Sequence, residues 1–178
     1  MIAIKQVDIM GHPVEELYGL LVPLHQARLI VPRSCVAEII RYSPLQSRGI
    51  EAPDWFRGFV GWNNLQVPVI SIEDLCDMPS TEPAGRTRIT IFNGLSKVLS
   101  GRVFGLLTEG FPQLLRINSK VMELHEEHVW PDDGPIICQI RMINEYPLVP
   151  DLEVIESLVQ EQVINKLGSD TITFEHQL

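Results

Sequence analysis

The chain has 178 residues, of which 45% are hydrophobic and 21% charged, and its net charge is −9. This composition is typical of soluble globular proteins, and the length allows one compact domain or two small lobes. The negative charge argues against a nucleic-acid partner, because such binding depends on clustered lysines and arginines. No apolar run approaches the roughly 20 residues of a membrane-spanning helix, and the N-terminus lacks the apolar stretch of a secretory signal. We therefore expect a cytoplasmic protein without membrane insertion.

The three cysteines do not form a recognisable framework. Cys35, Cys76 and Cys138 are far apart in the sequence, and their number is odd. A disulfide framework needs paired cysteines, and a structural zinc site needs closely spaced ones. We interpret all three as buried free thiols, and we expect no metal and no cofactor.

The first predicted elements are strands. After an N-terminal extension at residues 1–17, the stretch "YGLLVPLHQARLIVP" predicts two apolar strands joined near His25 and Gln26. The following "SCVAEII" alternates, with Glu38 and Ile40 on one side and Ile39 on the other, which predicts a third strand. The proline- and glycine-containing stretch that comes next predicts a loop.

Residues 58–75, "GFVGWNNLQVPVISIEDL", predict a β-hairpin. Asn63 and Asn64 suit a two-residue turn, because asparagine tolerates a positive φ better than most residues. Pro68 cannot donate to a strand ladder, so we expect its strand at a sheet edge or the proline beside a bulge. Gly58 and, later in the chain, Gly105 are expected to mark bulges or close packing.

The segment "DMPSTEPAG", residues 77–85, predicts a linker, and we place a lobe boundary there. Its neighbours are rich in predicted strands, at "RTRITIF", "KVLSGRVFGLLTEG" with a turn at Ser100 and Gly101, "PIICQIRMI" and "YPLVP", with a further turn at "PDDG". Short strands separated by turns indicate a mainly β fold of small barrels or a sandwich. The predicted lobes span about 18–76 and 86–160.

A C-terminal helix follows Asp151, whose side chain can cap it. Apolar residues recur at helical spacing, at Leu152, Ile155, Val159 and Val163. The same spacing places Glu153, Glu156 and Gln160 outside. Residues 161–178 are expected to hold the end of the helix and a loose tail.

The sequence lacks the glycine-rich motifs of nucleotide sites and the nucleophile elbow of hydrolases. The carboxylate pairs Glu73–Asp74 and Asp132–Asp133 lie where helix starts and turns commonly carry acids, so we do not interpret them as catalytic. In "HEEH", His125 and His128 would share one face if the segment were helical. A small metal-dependent enzyme that uses these histidines is therefore one alternative function.

A second alternative is a ligand-sensing β-barrel whose tryptophans, Trp55, Trp62 and Trp130, enclose a small molecule. Packing in the core or at an interface is the competing interpretation of these residues. A β-rich chain without a catalytic constellation is more typical of a binding module, because strand edges and exposed apolar patches contact partners.

Four stretches, taken in order, resemble the CheW-like family, the coupling proteins of bacterial chemosensory arrays. They are "LIVPRSCVAEII" from Leu29, "GFVGWNNLQVPVISI" from Gly58, "VFGLLTEGFPQLLRI" from Val103 and "EYPLVPDLEVIESL" from Glu145. The resemblance runs from about Tyr18 to Val159. The chain also resembles the accessory CheW-like proteins of pilus-linked chemosensory systems such as ChpC.

The resemblance implies two five-stranded SH3-like β-barrel lobes packed on a shared apolar core, with a C-terminal helix. It implies a non-catalytic, monomeric adaptor that couples a chemoreceptor cytoplasmic tip to the regulatory domain of a sensor histidine kinase, with pilus-driven twitching motility as one output. Strand edges and the groove between the lobes would make these contacts. The partner-binding residues that it implies are Val36, Glu38, Ile39, Trp62, Asn63, Asn64 and Val67.

The chain departs from the family pattern at the hairpin turn. Family members usually carry Arg-Gly where this sequence has Asn63 and Asn64. Arginine offers a fork of five donors that suits carboxylates, and asparagine offers far fewer. An aspartate of the pattern is replaced by Ser71, and the acidic residue after "GLL" comes one place late, as Glu109. The turn is thus expected to persist without its charge, which favours an auxiliary adaptor with its own contacts.

Overall fold

The computed structural model describes residues 17–46, 49, 51–99, 102–117, 122–142 and 144–166. In these ranges the strands are β1 (Leu17–Pro23), β2 (Arg28–Pro32), β3 (Val36–Arg41), β4 (Phe56–Trp62), β5 (Leu65–Ile70), β6 (Thr87–Asn93), β7 (Val103–Glu109), β8 (Gln113–Ile117), β9 (Glu123–His125), β10 (Ile136–Arg141) and β11 (Leu148–Pro150). The helices are α1 (Ile72–Leu75) and α2 (Leu152–Val159), and α2 continues as a π-helical turn, Gln160–Ile164. No helix in these ranges combines the length and the apolar character that crossing a bilayer requires.

Two sheets form the two lobes. One has five strands in the order β3-β6-β7-β5-β4, and the other has six in the order β8-β1-β2-β11-β10-β9. The mainly β fold with two lobes and a C-terminal helix is confirmed. The sixth strand of the larger sheet is the three-residue β9, which pairs with β10 at its edge.

The strands are divided between the sheets differently from the prediction. The segment 77–85 separates β4 and β5 from β6 and β7, yet all four belong to the five-stranded sheet. β1 and β2 join the larger sheet by pairing with β8 and β11, which come from the C-terminal half. The predicted lobe boundary at 77–85 therefore does not coincide with the division of the strands between the two sheets. Strand pairing between residues far apart in the sequence leaves no mark in local composition.

The β4–β5 hairpin has its predicted turn, with a positive φ of 47° at Asn63 and 61° at Asn64. The edge position predicted for Pro68 is wrong, because β5 lies between β7 and β4. β5 pairs with β7 only through its last two residues, Val69 and Ile70. Pro68 precedes this ladder, so its missing N–H leaves no gap in the hydrogen bonds between the two strands. The alternative prediction is confirmed: β4 has a bulge between Phe56 and Gly58, beside the pair Phe59–Pro68.

A shared apolar core joins the sheets and α2. In its centre, the rings of Phe92 and Phe104 stack with centroids 5.4 Å apart. Both sheets and α2 contribute fully buried side chains to this core, namely Val22, Leu29, Phe56, Ile70, Phe92, Phe104, Ile136, Ile155 and Val159. The lobes are therefore not separate hydrophobic units. Gly105 faces a smaller cluster, where a Cβ would lie 2.8 Å from Cγ2 of Ile89, so its predicted close packing is confirmed.

Helix α2 has its predicted cap and one unpredicted buried acid. The Asp151 carboxylate accepts a hydrogen bond from the Val154 amide at 3.0 Å. Glu156 does not point outward as predicted but is completely buried. Its carboxylate accepts hydrogen bonds from the Leu95 amide at 2.5 Å, the Ser96 amide at 3.0 Å and the Ser96 hydroxyl at 2.5 Å. Glu156 thus fixes the loop between β6 and β7 to the helix.

That loop also changes one predicted strand. Residues 97–99, predicted as the start of a strand, are irregular, and β7 begins at Val103. Leu99 is buried in the core, so the loop is anchored by one apolar side chain as well as by Glu156. The predicted turn at Ser100 and Gly101, the N-terminal extension up to residue 16 and the tail from residue 167 lie outside the described residues.

We predict that Gly58→Ala destabilises the fold by at least about 2 kcal/mol. The φ of Gly58 is 130°, and a Cβ would lie 2.3 Å from the carbonyl oxygen of Gln46. Gly61→Ala on the same strand is the control, because a Cβ there meets nothing within 4 Å. Urea unfolding of both variants tests this prediction, and equal losses of stability in the two would contradict it.

We predict that Glu156→Gln lowers the free energy of unfolding by about 2–3 kcal/mol, because its amide nitrogen would face backbone donors. Glu161→Gln, at an exposed position of the same helical segment, should change it by less than about 0.5 kcal/mol. The measurement is again denaturant unfolding. A Glu156 variant as stable as the Glu161 variant would show that the buried hydrogen bonds do not hold the loop.

Candidate partner-binding surface

The predicted hairpin residues lie together with the predicted acid of β3. The Trp62 indole Nε1 donates a hydrogen bond to the Glu38 carboxylate at 2.7 Å. β3 and β4 are the two outer strands of the five-stranded sheet, so this contact brings opposite edges together. Asn63 and Asn64 follow directly and are exposed. We call Glu38, Trp62, Asn63 and Asn64 the hairpin surface.

The sheet closes on itself behind the hairpin surface. Gln46, in the segment after β3, pairs with Phe59 of β4 through two backbone hydrogen bonds of 2.8 and 3.2 Å. The half-buried Trp62 packs against the apolar cluster beneath the sheet, as does Ile40 on the same side of β3 as Glu38. The hairpin surface therefore rests on a closed barrel rather than on a free hairpin.

Three other predicted partner-binding residues do not belong to this surface. Val67 is fully buried in the smaller apolar cluster and Val36 is 6% exposed in the shared core, so both side chains are inaccessible to a partner. Ile39 is half-buried and packs against the core shared by the two sheets, on the side of β3 opposite Glu38. These residues hold the strands that carry the surface.

One residue of this region was missed in the sequence. Leu65, the first residue of β5, is 41% exposed beside the turn. It adds an apolar group to an otherwise polar tip, where an exposed leucine can contact a partner. Its position directly after a two-residue turn was the signal for it in the sequence, because side chains next to such a turn lie near the hairpin tip.

A polar cleft lies between the two sheets, beside the turn that joins β1 and β2. Its volume is about 700 Å³. Glu73 of α1 holds this turn, because its carboxylate accepts a hydrogen bond from the His25 amide at 2.6 Å. Burial raises the pKa of Glu73, and the hydrogen bonds from the backbone of the turn only partly offset this effect.

The geometry required by the alternative of a metal site at His125 and His128 is not present. His125 ends β9, and His128 follows a turn, so the two do not share a helix face. Their rings instead contact other aromatic rings, His125 that of Tyr146 and His128 that of Trp130. Among the described residues, no three histidine, cysteine or acidic side chains are arranged to hold a metal ion.

Asp74 and the thiols of Cys35 and Cys76 are likewise engaged or shielded. Asp74 accepts hydrogen bonds from Arg57 and from Ser80, each at 2.5 Å. Burial and the nearby Asp77 raise the pKa of Cys76 to about 11, so this thiol stays protonated and unreactive at neutral pH. All three cysteines are free, but only Cys35 is buried as predicted, whereas Cys76 and Cys138 are partly buried.

Comparison with known proteins identifies the family. The sequence profile of the CheW-like domain matches residues 18–160. The chain belongs to the CheW-like domain family. Its fold is similar to the crystal structure of the scaffolding protein TtCheW from Thermoanaerobacter tengcongensis, with a TM-score of 0.67 and 14% sequence identity over 82% of this chain and 96% of that chain. No curated protein sequence matches the chain.

This CheW-like domain has an uncharged hairpin tip. The turn carries two amides, and the Glu38 carboxylate accepts from an indole N–H. An indole provides a single donor, whereas an arginine provides five. Among the described residues, the Glu38 carboxylate is therefore paired with an indole and not with a cation.

We predict that Glu38 and Trp62 stabilise the domain cooperatively. A double-mutant cycle with Glu38→Gln and Trp62→Phe should give a coupling free energy of about 0.5–1.5 kcal/mol, because each change weakens the same hydrogen bond to a charged acceptor. The four proteins would be compared by urea unfolding. Strictly additive losses would show that the contact does not join β3 to β4.

Proposed function

We propose that this CheW-like domain is a non-catalytic adaptor that couples a chemoreceptor cytoplasmic tip to the regulatory domain of a sensor histidine kinase. The observation that carries the proposal is the match of the CheW-like profile across residues 18–160, which includes nearly every described strand. The similarity to a scaffolding protein in fold supports it. An adaptor of this kind needs exposed recognition residues and no reacting groups.

The hairpin surface has the properties of a small recognition site. Trp62 is half-buried and oriented by Glu38, so an aromatic side chain is presented at little cost in conformational entropy. The Asn63 and Asn64 amides supply donors and acceptors at the tip, and Leu65 adds an exposed apolar group. A surface of this size fits a transient, micromolar contact rather than a permanent complex.

The missing turn arginine determines the kind of partner contact. A guanidinium would anchor a partner carboxylate, whereas the amide tip and the Glu38 charge favour partner groups that donate hydrogen bonds. We propose that the domain is an auxiliary adaptor that recognises its partner without a cation. It acts in the cytoplasm as a monomer, at the receptor tip and the kinase.

We further propose that the signalling system controls pilus-driven twitching motility. The resemblance to accessory CheW-like proteins of pilus-linked systems supports this output. Deletion of the gene should reduce twitching zones and leave flagellar swimming unchanged. Loss of swimming with normal twitching would contradict this output without affecting the adaptor proposal.

The test of the adaptor function is calorimetric titration of the purified chain against the kinase regulatory domain and, separately, the receptor tip, both from the same genome. We expect saturable micromolar binding of at least one partner. Asn63→Arg should improve that affinity by less than about threefold, because recognition does not depend on a cation. Failure of the wild type to bind either partner would refute the adaptor function.

The role of the hairpin surface is tested in the same titrations. Trp62→Ala should weaken binding at least about tenfold, because an oriented aromatic anchor is lost. Val129→Ala is the matched control, since Val129 is 89% exposed and lies in the other lobe. Unchanged affinity of the Trp62 variant would exclude the hairpin surface as the contact.

A further inference from the structure

The residues that line the polar cleft between the sheets do not include those of the hairpin surface. One wall of the cleft contains Met78 and Arg86, from the segment between α1 and β6, and Glu109 from the end of β7. The six-stranded side contributes His128, Trp130 and Tyr146. Its volume of about 700 Å³ falls within the range of small-molecule sites. A molecule in the cleft would contact both sheets.

The charges in the cleft are only partly paired. Arg28 and Glu145 form an ion pair at 3.2 Å and so neutralise each other. Arg86 is exposed and makes no hydrogen bond or ion pair with the described residues. Glu109 accepts a hydrogen bond from the neutral Thr87 hydroxyl at 3.0 Å, and no described cation pairs with it. One positive and one negative charge therefore remain available.

The strand register brings these two charges to the same end of the sheet. Thr87 and Glu109 are directly opposite each other at the end of the β6–β7 pair. Arg86 immediately precedes Thr87, and both Arg86 and Glu109 line the cleft. A small molecule that carries both an anionic and a cationic group would meet both charges, since a carboxylate pairs with arginine and an ammonium with glutamate.

The opposite wall of the cleft is aromatic. The rings of His128 and Trp130 are in contact, with centroids 4.3 Å apart and planes tilted by 52°, and Tyr146 also lines the cleft. The buried Trp130 Nε1 has no hydrogen-bond partner among the described residues. Aromatic rings pack against each other in offset or edge-on geometry. This wall therefore favours a ligand with a planar apolar group over a ligand with an extended aliphatic chain.

From these observations we propose that the cleft binds an aromatic α-amino acid. Arg86 binds its carboxylate, Glu109 binds its ammonium group, and its ring packs against the wall that contains Trp130 and His128. Because the ligand contacts both sheets, binding stabilises the folded arrangement of the lobes, and this stabilisation rises with the logarithm of ligand concentration above the Kd. The adaptor would thereby sense an amino acid directly.

The test uses three probes that share one ring. L-phenylalanine carries both charges, 3-phenylpropionate lacks the ammonium group, and 2-phenylethylamine lacks the carboxylate. Binding is followed by tryptophan fluorescence and by calorimetry on the full chain. We expect saturable binding of L-phenylalanine, and we expect each singly charged analogue to bind at least about tenfold more weakly.

Two variants assign the charges. Arg86→Gln should weaken the binding of L-phenylalanine at least about tenfold and leave the affinity for 2-phenylethylamine unchanged. Glu109→Gln should weaken the binding of L-phenylalanine to a similar extent and leave the affinity for 3-phenylpropionate unchanged. The amide oxygen of the new glutamine can still accept the hydrogen bond from the Thr87 hydroxyl. The control is Arg102→Gln, an exposed position just before β7 and so at the far end of that strand from Glu109. It should bind L-phenylalanine like the wild type.

Three results would overturn the proposal: no saturable response to L-phenylalanine up to about 10 mM, equal affinity for all three probes, or an Arg86→Gln variant that binds like the wild type. The assay contains no receptor and no kinase. Its outcome is therefore independent of whether the adaptor function holds.

Discussion

The packing of both sheets and α2 on one apolar core is the constraint on which the rest of the structure depends. Phe56, Phe92 and Phe104 come from the five-stranded sheet, and Val22 and Leu29 from the six-stranded one. Burial of such side chains stabilises the fold by roughly 1.5–3 kcal/mol each. Neither sheet could bury its inner face alone, so the lobes are held in a fixed relation that gives both the hairpin surface and the cleft their shape.

The two candidate sites use this rigidity in different ways. The hairpin surface lies where opposite edges of one sheet meet, and its orientation comes from the Trp62–Glu38 hydrogen bond and the Gln46–Phe59 pairing. The cleft lies where the two sheets meet, and its floor is the β1–β2 turn held by Glu73. A protein contact and a small-molecule contact can therefore coexist on separate parts of one scaffold.

Local patterns in the sequence predicted the strands, turns and helix better than the contacts between distant parts of the chain. Apolar runs predicted β1 and β2, alternation predicted β3, the Asn63–Asn64 pair predicted the turn, and Asp151 predicted the helix cap, because each depends on neighbouring residues only. The outward position of Glu156 was wrong because its partners lie about 60 residues away. The same holds for the sheet division and for the Trp62–Glu38 contact, which join residues distant in the sequence.

The pairing of β1 with β8 has a consequence for synthesis on the ribosome. β1 ends at Pro23 and β8 begins at Gln113, so about 90 residues must be made before the two strands can meet. At roughly 5–20 residues per second, this delay amounts to several seconds or more. During that interval β1 and β2 expose a nearly continuous apolar sequence, and contacts so distant in the chain also form slowly. The nascent N-terminal strands thus depend on chaperones or on their own local hairpin until the C-terminal half emerges.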